Sequence, residues 1–190
     1  MRWDRLFADL EGQLAAGERR ELDDEVAERT RRERALVPLA DRLAQLPGSS
    51  VTIGLVGGRR LEGELADLGD GWMLLRTAGR DVLVPLSVLA AVTRHAVPGP
   101  EGPPSRGGDV AASARRFGLG SALRALSRDR ATVAVHLVGV QAALVGTIDA
   151  VGADHLDLAE HPEGTVRRRE NVSAVTTVAT SALLLVESRR

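Results

Sequence analysis

The side chains of this chain best able to do chemistry are arginines and histidines. Arg167, Arg168 and Arg169 stand in a row. Three guanidiniums at a hairpin tip could hold phosphate oxygens. No aromatic residue is interleaved, and Glu163 and Glu170 flank them, so a solvated, partly neutralised loop is the competing reading. Arg115, Arg116 and Arg124 form a second group. They lie in the one distinctly basic stretch, Gly99 to Ala131, where six arginines face three acidic residues. A basic helix there could meet RNA, DNA or an acidic protein; a solvated outer helix face is the alternative. Asp154, His155, Asp157, Glu160 and His161 have the composition of a metal site. On a strand, His155, Asp157 and His161 share a face, but positions six apart are roughly 20 Å apart. One ion cannot reach both histidines, and an outward polar face over buried Leu156 and Leu158 is the better reading.

Other reactive arrangements are incomplete. Gly118-x-Gly120 lacks the third glycine of a dinucleotide fingerprint, since Leu123 stands there. Gly120-Ser121-Ala122 lacks the strand–turn–helix setting of a nucleophile elbow. His136 sits in an apolar strand and reads as a packed or surface residue rather than a base. Cysteine is absent, which excludes disulfides, thiolate metal sites and a thiol nucleophile. All 25 basic residues are arginine, so there is no P-loop or Schiff-base lysine. No spacing forces two carboxylates together. The expectation is a non-enzyme without metal or cofactor.

The elements that must position these residues form three regions. Met1 to Leu46 reads as helical: Trp3, Leu6, Phe7, Leu10 and Leu14 make one apolar stripe. A second, charged helix follows Gly17, with Glu25–Arg29 and Glu28–Arg32 spaced four apart, and Pro38 kinks or restarts it. From Val51 to about His95 run short strands. Val51, Ile53 and Leu55 alternate with Thr52 and Gly54, and Gly57-Gly58 marks a hairpin. Then come Leu61 to Leu65, Trp72 to Leu75, Val82 to Val84 and Leu89 to Val92. Val97 to Ser113 is Pro/Gly-rich and reads as a linker. A helix over Arg115 to Arg128 follows.

After that helix the strand pattern repeats. Val133, Val135 and Leu137 match Val51, Ile53 and Leu55; Leu144, Gly146 and Ile148 match Leu61, Gly63 and Leu65. A longer hairpin around Pro162-Glu163-Gly164 then lets Val178 to Leu183 match Val84 to Leu89. Two pieces, Val51 to Leu65 and Leu83 to Val92, resemble the Sm-like family, whose members place an N-terminal helix on a bent five-stranded antiparallel sheet. The layout also resembles proteins of GC-rich actinobacteria. The resemblance implies RNA binding or ring assembly through edge strands. The family's RNA-contacting turns fall here at Gly69-Asp70-Gly71 and Pro85-Leu86-Ser87, and at Gly152-Ala153-Asp154 and Ala179-Thr180-Ser181. None supplies a stacking ring or a cation.

The chain has 190 residues, 44% apolar and 27% charged, with net charge −1. That suits one ordinary domain or two small ones and gives no global pull on nucleic acid. The compositional skew is that of a GC-rich bacterial genome, and no signal peptide or long apolar stretch appears, so the expected location is cytoplasmic. The expected architecture is α+β: two tandem Sm-like five-stranded bent antiparallel β-barrels, each preceded by helix. Its parts are an N-terminal helical region at 1–47, barrel 1 at 48–97, a linker at 98–114, and helix plus barrel 2 at 115–190. The expected function is non-catalytic binding or scaffolding. Single-stranded RNA would be held by Arg167, Arg168 and Arg169, then Arg115, Arg116 and Arg124. The alternatives are a protein-interaction or self-associating module, working through edge strands or the N-terminal helices, and a DNA-associated regulator. No membrane partner is expected.

Overall fold

The computed structural model describes residues 25, 28–33, 35–95 and 117–189, the side chain of Arg189 excepted. The stripe from Trp3 to Leu14, the linker around Val97–Ser113, and Arg115 and Arg116 lie outside the described residues. The chain divides into two compact units, residues 1–42 and 43–190.

In the first unit residues 28–33 are helical. Arg29 and Arg32 meet Glu25 and Glu28 at 3.4 and 3.3 Å, four residues apart. These pairs are exposed and contribute only a few tenths of a kcal/mol each. The helix stops before Pro38, and a short helix, α1 (Leu39–Leu43), starts directly after it. Proline cannot donate the amide that a continuous helix needs.

The second unit is built on ten strands. These are β1 (Ser50–Leu55), β2 (Arg60–Gly69), β3 (Trp72–Thr77), β4 (Arg80–Pro85), β5 (Leu89–Arg94), β6 (Thr132–Leu137), β7 (Leu144–Val151), β8 (His155–Glu160), β9 (Ala174–Ala179) and β10 (Leu183–Arg189). A helix, α2 (Leu119–Arg128), precedes β6. Local signals explain the segments. β1 alternates buried Val51, Ile53 and Leu55 with half-covered neighbours, the period of a one-sided strand. Gly57 and Gly58 turn the β1–β2 hairpin with φ of 83° and 86°, a conformation that costs L side chains dearly. Gly63 and Gly146 are required for a different reason. A Cβ at Gly63 would lie 2.6 Å from the Arg76 carbonyl oxygen, and one at Gly146 2.1 Å from that of Ala159. Both strands have a bulge beyond these glycines, between Leu65 and Asp67 and between Ile148 and Ala150, where the strand bends.

The sheet corrects the expected architecture. The order is β5-β1-β2-β3-β4-β10-β6-β7-β8-β9, a single ten-stranded antiparallel sheet that does not close. Two separate barrels do not form, because β4 and β10 pair with each other, Val186 opposite Leu83 and Glu187 opposite Val82. The physical reason lies in these two strands. Val82 to Pro85 and Leu183 to Val186 are each four consecutive buried residues. A strand buried on both faces belongs in the interior of a sheet, not at its edge. The helices among the described residues are short, so the unit is predominantly β rather than α+β. Three-residue 3-10 turns, Leu86–Val88 and Thr180–Ala182, join β4 to β5 and β9 to β10.

Two apolar clusters form the core, and each draws on both sides of the seam. Leu184 and Leu185 of β10 enter the cluster around Ile53, Leu65, Met73 and Leu75. Trp72 and Leu83 enter the one around Leu123, Val135, Ile148 and Leu158. Burying a leucine contributes roughly 1.5–3 kcal/mol, so this exchange ties the halves together beyond the backbone ladder.

Candidate interaction surfaces

The most elaborate polar arrangement is at the β4–β10 seam. Glu187 of β10 has a side chain only 10% exposed. Arg59, after the β1–β2 turn, donates to its Oε1 at 2.7 Å, and Arg80 of β4 donates to its Oε2 at 2.8 Å. A carboxylate so poorly hydrated is tolerable only when its charge is matched and its oxygens are hydrogen-bonded. Arg59 also donates through Nη1 to Nδ1 of His136 on β6, at 2.7 Å. A guanidinium only donates, so Nδ1 is the acceptor and the ring is neutral, with its proton on Nε2. That nitrogen faces Glu187 Oε1 at 3.5 Å. Burial, then the charge of Arg59, holds the imidazole below its ordinary 6.5, against the opposing pull of Glu187. Arg59, Arg80, His136 and Glu187 were not singled out together by sequence reasoning. They are dispersed over 129 positions, and no motif spacing joins them.

The second surface is the pair of sheet edges, β5 and β9, that no further strand pairs among the described residues. β9 reads Ala174-Val-Thr-Thr-Val-Ala179, without a charge or a proline, and Val175 is 61% exposed. β5 reads Leu89-Ala-Ala-Val-Thr-Arg94, with its one charge at the last residue. Natural edge strands are usually blunted by charges, proline or a covering element. Thr176 and Thr177 turn their hydroxyls to Glu160 and Asp157 of β8, which leaves the outer backbone groups of β9 unclaimed by these side chains.

The arginines expected to bind RNA are placed as follows. Arg167 is half-buried and paired with Asp149 of β7. That hydrogen bond, then the aspartate's charge, raises the guanidinium's pKa. Arg168 meets Glu170 at 3.8 Å, both exposed. Arg169 is exposed and forms no ion pair among the described residues. Arg167 and Arg169 line a shallow depression beside Val172 to Val175, at the start of β9. Arg124 lies elsewhere. Its guanidinium is over Gly120 on α2, beside an apolar groove of about 540 Å³. Trp72, Leu74, Leu83, Phe117, Leu126 and Val186 line that groove, and the Trp72 indole donates to the Phe117 carbonyl at 2.8 Å.

The histidines of the acidic stretch go to different partners. His155 meets Asp154 at 2.9 Å, and this hydrogen bond lowers the aspartate's pKa and raises the histidine's. His161 lies past the end of β8 and is buried rather than outward-facing. Its Nε2 is 2.9 Å from the Thr147 hydroxyl and its Nδ1 3.1 Å from the Pro162 carbonyl. Among the described residues no group of three or more acidic or histidine side chains could hold a metal ion, and no helix is long and apolar enough to cross a membrane. No protein-family model and no curated protein matches the chain.

Proposed function

We propose that this protein is a non-catalytic scaffold that assembles with further copies of itself, β9 of one copy pairing with β5 of the next. The observation that carries this reading is the combination of two open, nearly charge-free edges with a seam inside the chain that joins two strands of corresponding position. β4 and β9 each lead into a 3-10 turn, and β10 and β5 each follow one. The seam is therefore a template for the outer pairing. Transferred by 94 positions, its register puts Val92 opposite Thr177, Thr93 opposite Thr176 and Arg94 opposite Val175. Such a contact joins different surfaces of the two partners, so each copy retains one free edge for the next. The engagement of Arg167 and Arg168 by carboxylates of the same chain favours this reading over RNA binding through the arginine row.

The native chain is free of cysteine, which makes the test direct. Thr93→Cys and Thr176→Cys are introduced together, and the oxidised protein is run on non-reducing gels beside light scattering of the unmodified chain. Expected are higher-order species for the native protein and disulfide-linked multimers for the double variant. Residues directly opposite in an antiparallel ladder lie within disulfide reach. A native chain that is monomeric up to millimolar concentration overturns the proposal.

A further inference from the structure

We propose that His136 is a proton-sensitive latch on the seam: when the ring takes up a proton, the bond from Arg59 is lost and the β4–β10 junction loosens. The argument rests on donor and acceptor roles. Neutral His136 accepts at Nδ1 from a guanidinium 2.7 Å away. Protonated, that nitrogen becomes a donor, and two N–H groups on two cations confront each other. One of them must move. Arg59 also carries the bond to Glu187 Oε1, so its displacement removes one of the two cations that hold this poorly hydrated carboxylate in the β4–β10 ladder, the other being Arg80 of β4.

The groups facing His136 from each packed element are defined. Arg59 comes from the β1–β2 turn, Arg80 from β4 and Glu187 from β10. Glu163, from the loop between β8 and β9, lines the same small cavity, and β7 contributes only uncharged Val145 there. Glu187, 3.5 Å from the ring, is already shared by two guanidiniums. Protonation of His136 would set a third positive charge beside it. The lowered pKa of His136 agrees with this geometry.

The sign follows from linkage. The unfolded chain takes its proton at about 6.5, before the folded chain does. Stability from the latch is complete above that pH and is lost as the pH falls toward the folded value. The test is amide hydrogen exchange of β4 and β10 from pH 7.5 to 5, corrected for intrinsic rates, in the native protein and in His136→Asn. Asparagine keeps an acceptor near the Nδ1 position and does not titrate. Expected is a loss of protection at Val82, Leu83, Val186 and Glu187, with a ceiling of about tenfold per pH unit for one proton. In His136→Asn the same amides hold their protection. Equal pH dependence in both proteins overturns the latch. Should the variant fail to fold, NMR titration of the native His136 ring decides: a midpoint below 6.5 supports the latch, and one at or above it overturns it.

Discussion

The seam and the outer edges are made of strands at corresponding places in the two halves, yet they are finished differently. At the seam, β4 and β10 are buried on both faces and sealed by Glu187 between two arginines. At the edges, β9 and β5 carry threonine, alanine and valine, and the position corresponding to Glu187 is Thr93. Apolar burial plus a matched, desolvated charge makes a permanent joint. A bare β-branched strand offers only its backbone groups and modest side-chain packing. The same kind of pairing can thus be constitutive inside the chain and reversible between chains.

Four substitutions break or sharpen that contrast. The largest effect is expected at Leu185, fully buried where β10 enters the core of the first half. Leu185→Ala should cost about 3 kcal/mol in denaturant unfolding. Glu187→Gln comes next. It leaves two guanidiniums without a carboxylate, but these are about a third and two-fifths exposed. The cost should fall to about 2 kcal/mol, below that of a fully buried pair. Val175→Lys should leave unfolding unchanged within about 0.5 kcal/mol while abolishing the higher-order species expected in light scattering, since a charge on an edge opposes pairing. Arg168→Ala, at an exposed pair, should move neither stability nor assembly measurably. A Val175→Lys variant that unfolds early would place the edge inside the cooperative core and erase the contrast.

Much of the local structure was legible. The alternation of Val51, Ile53 and Leu55, the Gly57-Gly58 turn and the helix restart after Pro38 are written in single residues with one stereochemical use. The matching of Val178–Leu183 to Val84–Leu89 also falls on the two 3-10 turns. The joining of the halves is left open by the sequence: the edge-strand pairing that the Sm-like resemblance implies could be satisfied within the chain, or the halves could remain separate lobes. The apolar run Val82–Val84 reads as a strand, but nothing near it in sequence says that Leu183–Val186 covers its second face. His136 stands alone in the sequence, because its partner Arg59 is 77 positions away. The arginine row drew attention for its charge, and Asp149, which engages Arg167, stands 18 positions earlier.

What the sequence by itself determined is the set of strands, their turns and the faces that must be hidden, since these follow from backbone stereochemistry and apolar periodicity within a few residues. Tertiary structure alone decided which strand covers which. It made one open sheet of ten strands instead of two closed ones, gave Glu187 its two arginines and a histidine, and left β5 and β9 each with one outer edge unpaired among the described residues. Hydrophobic burial is non-directional, so a sequence specifies that a face be covered. The partner is chosen only when the folded chain brings edges and charges together.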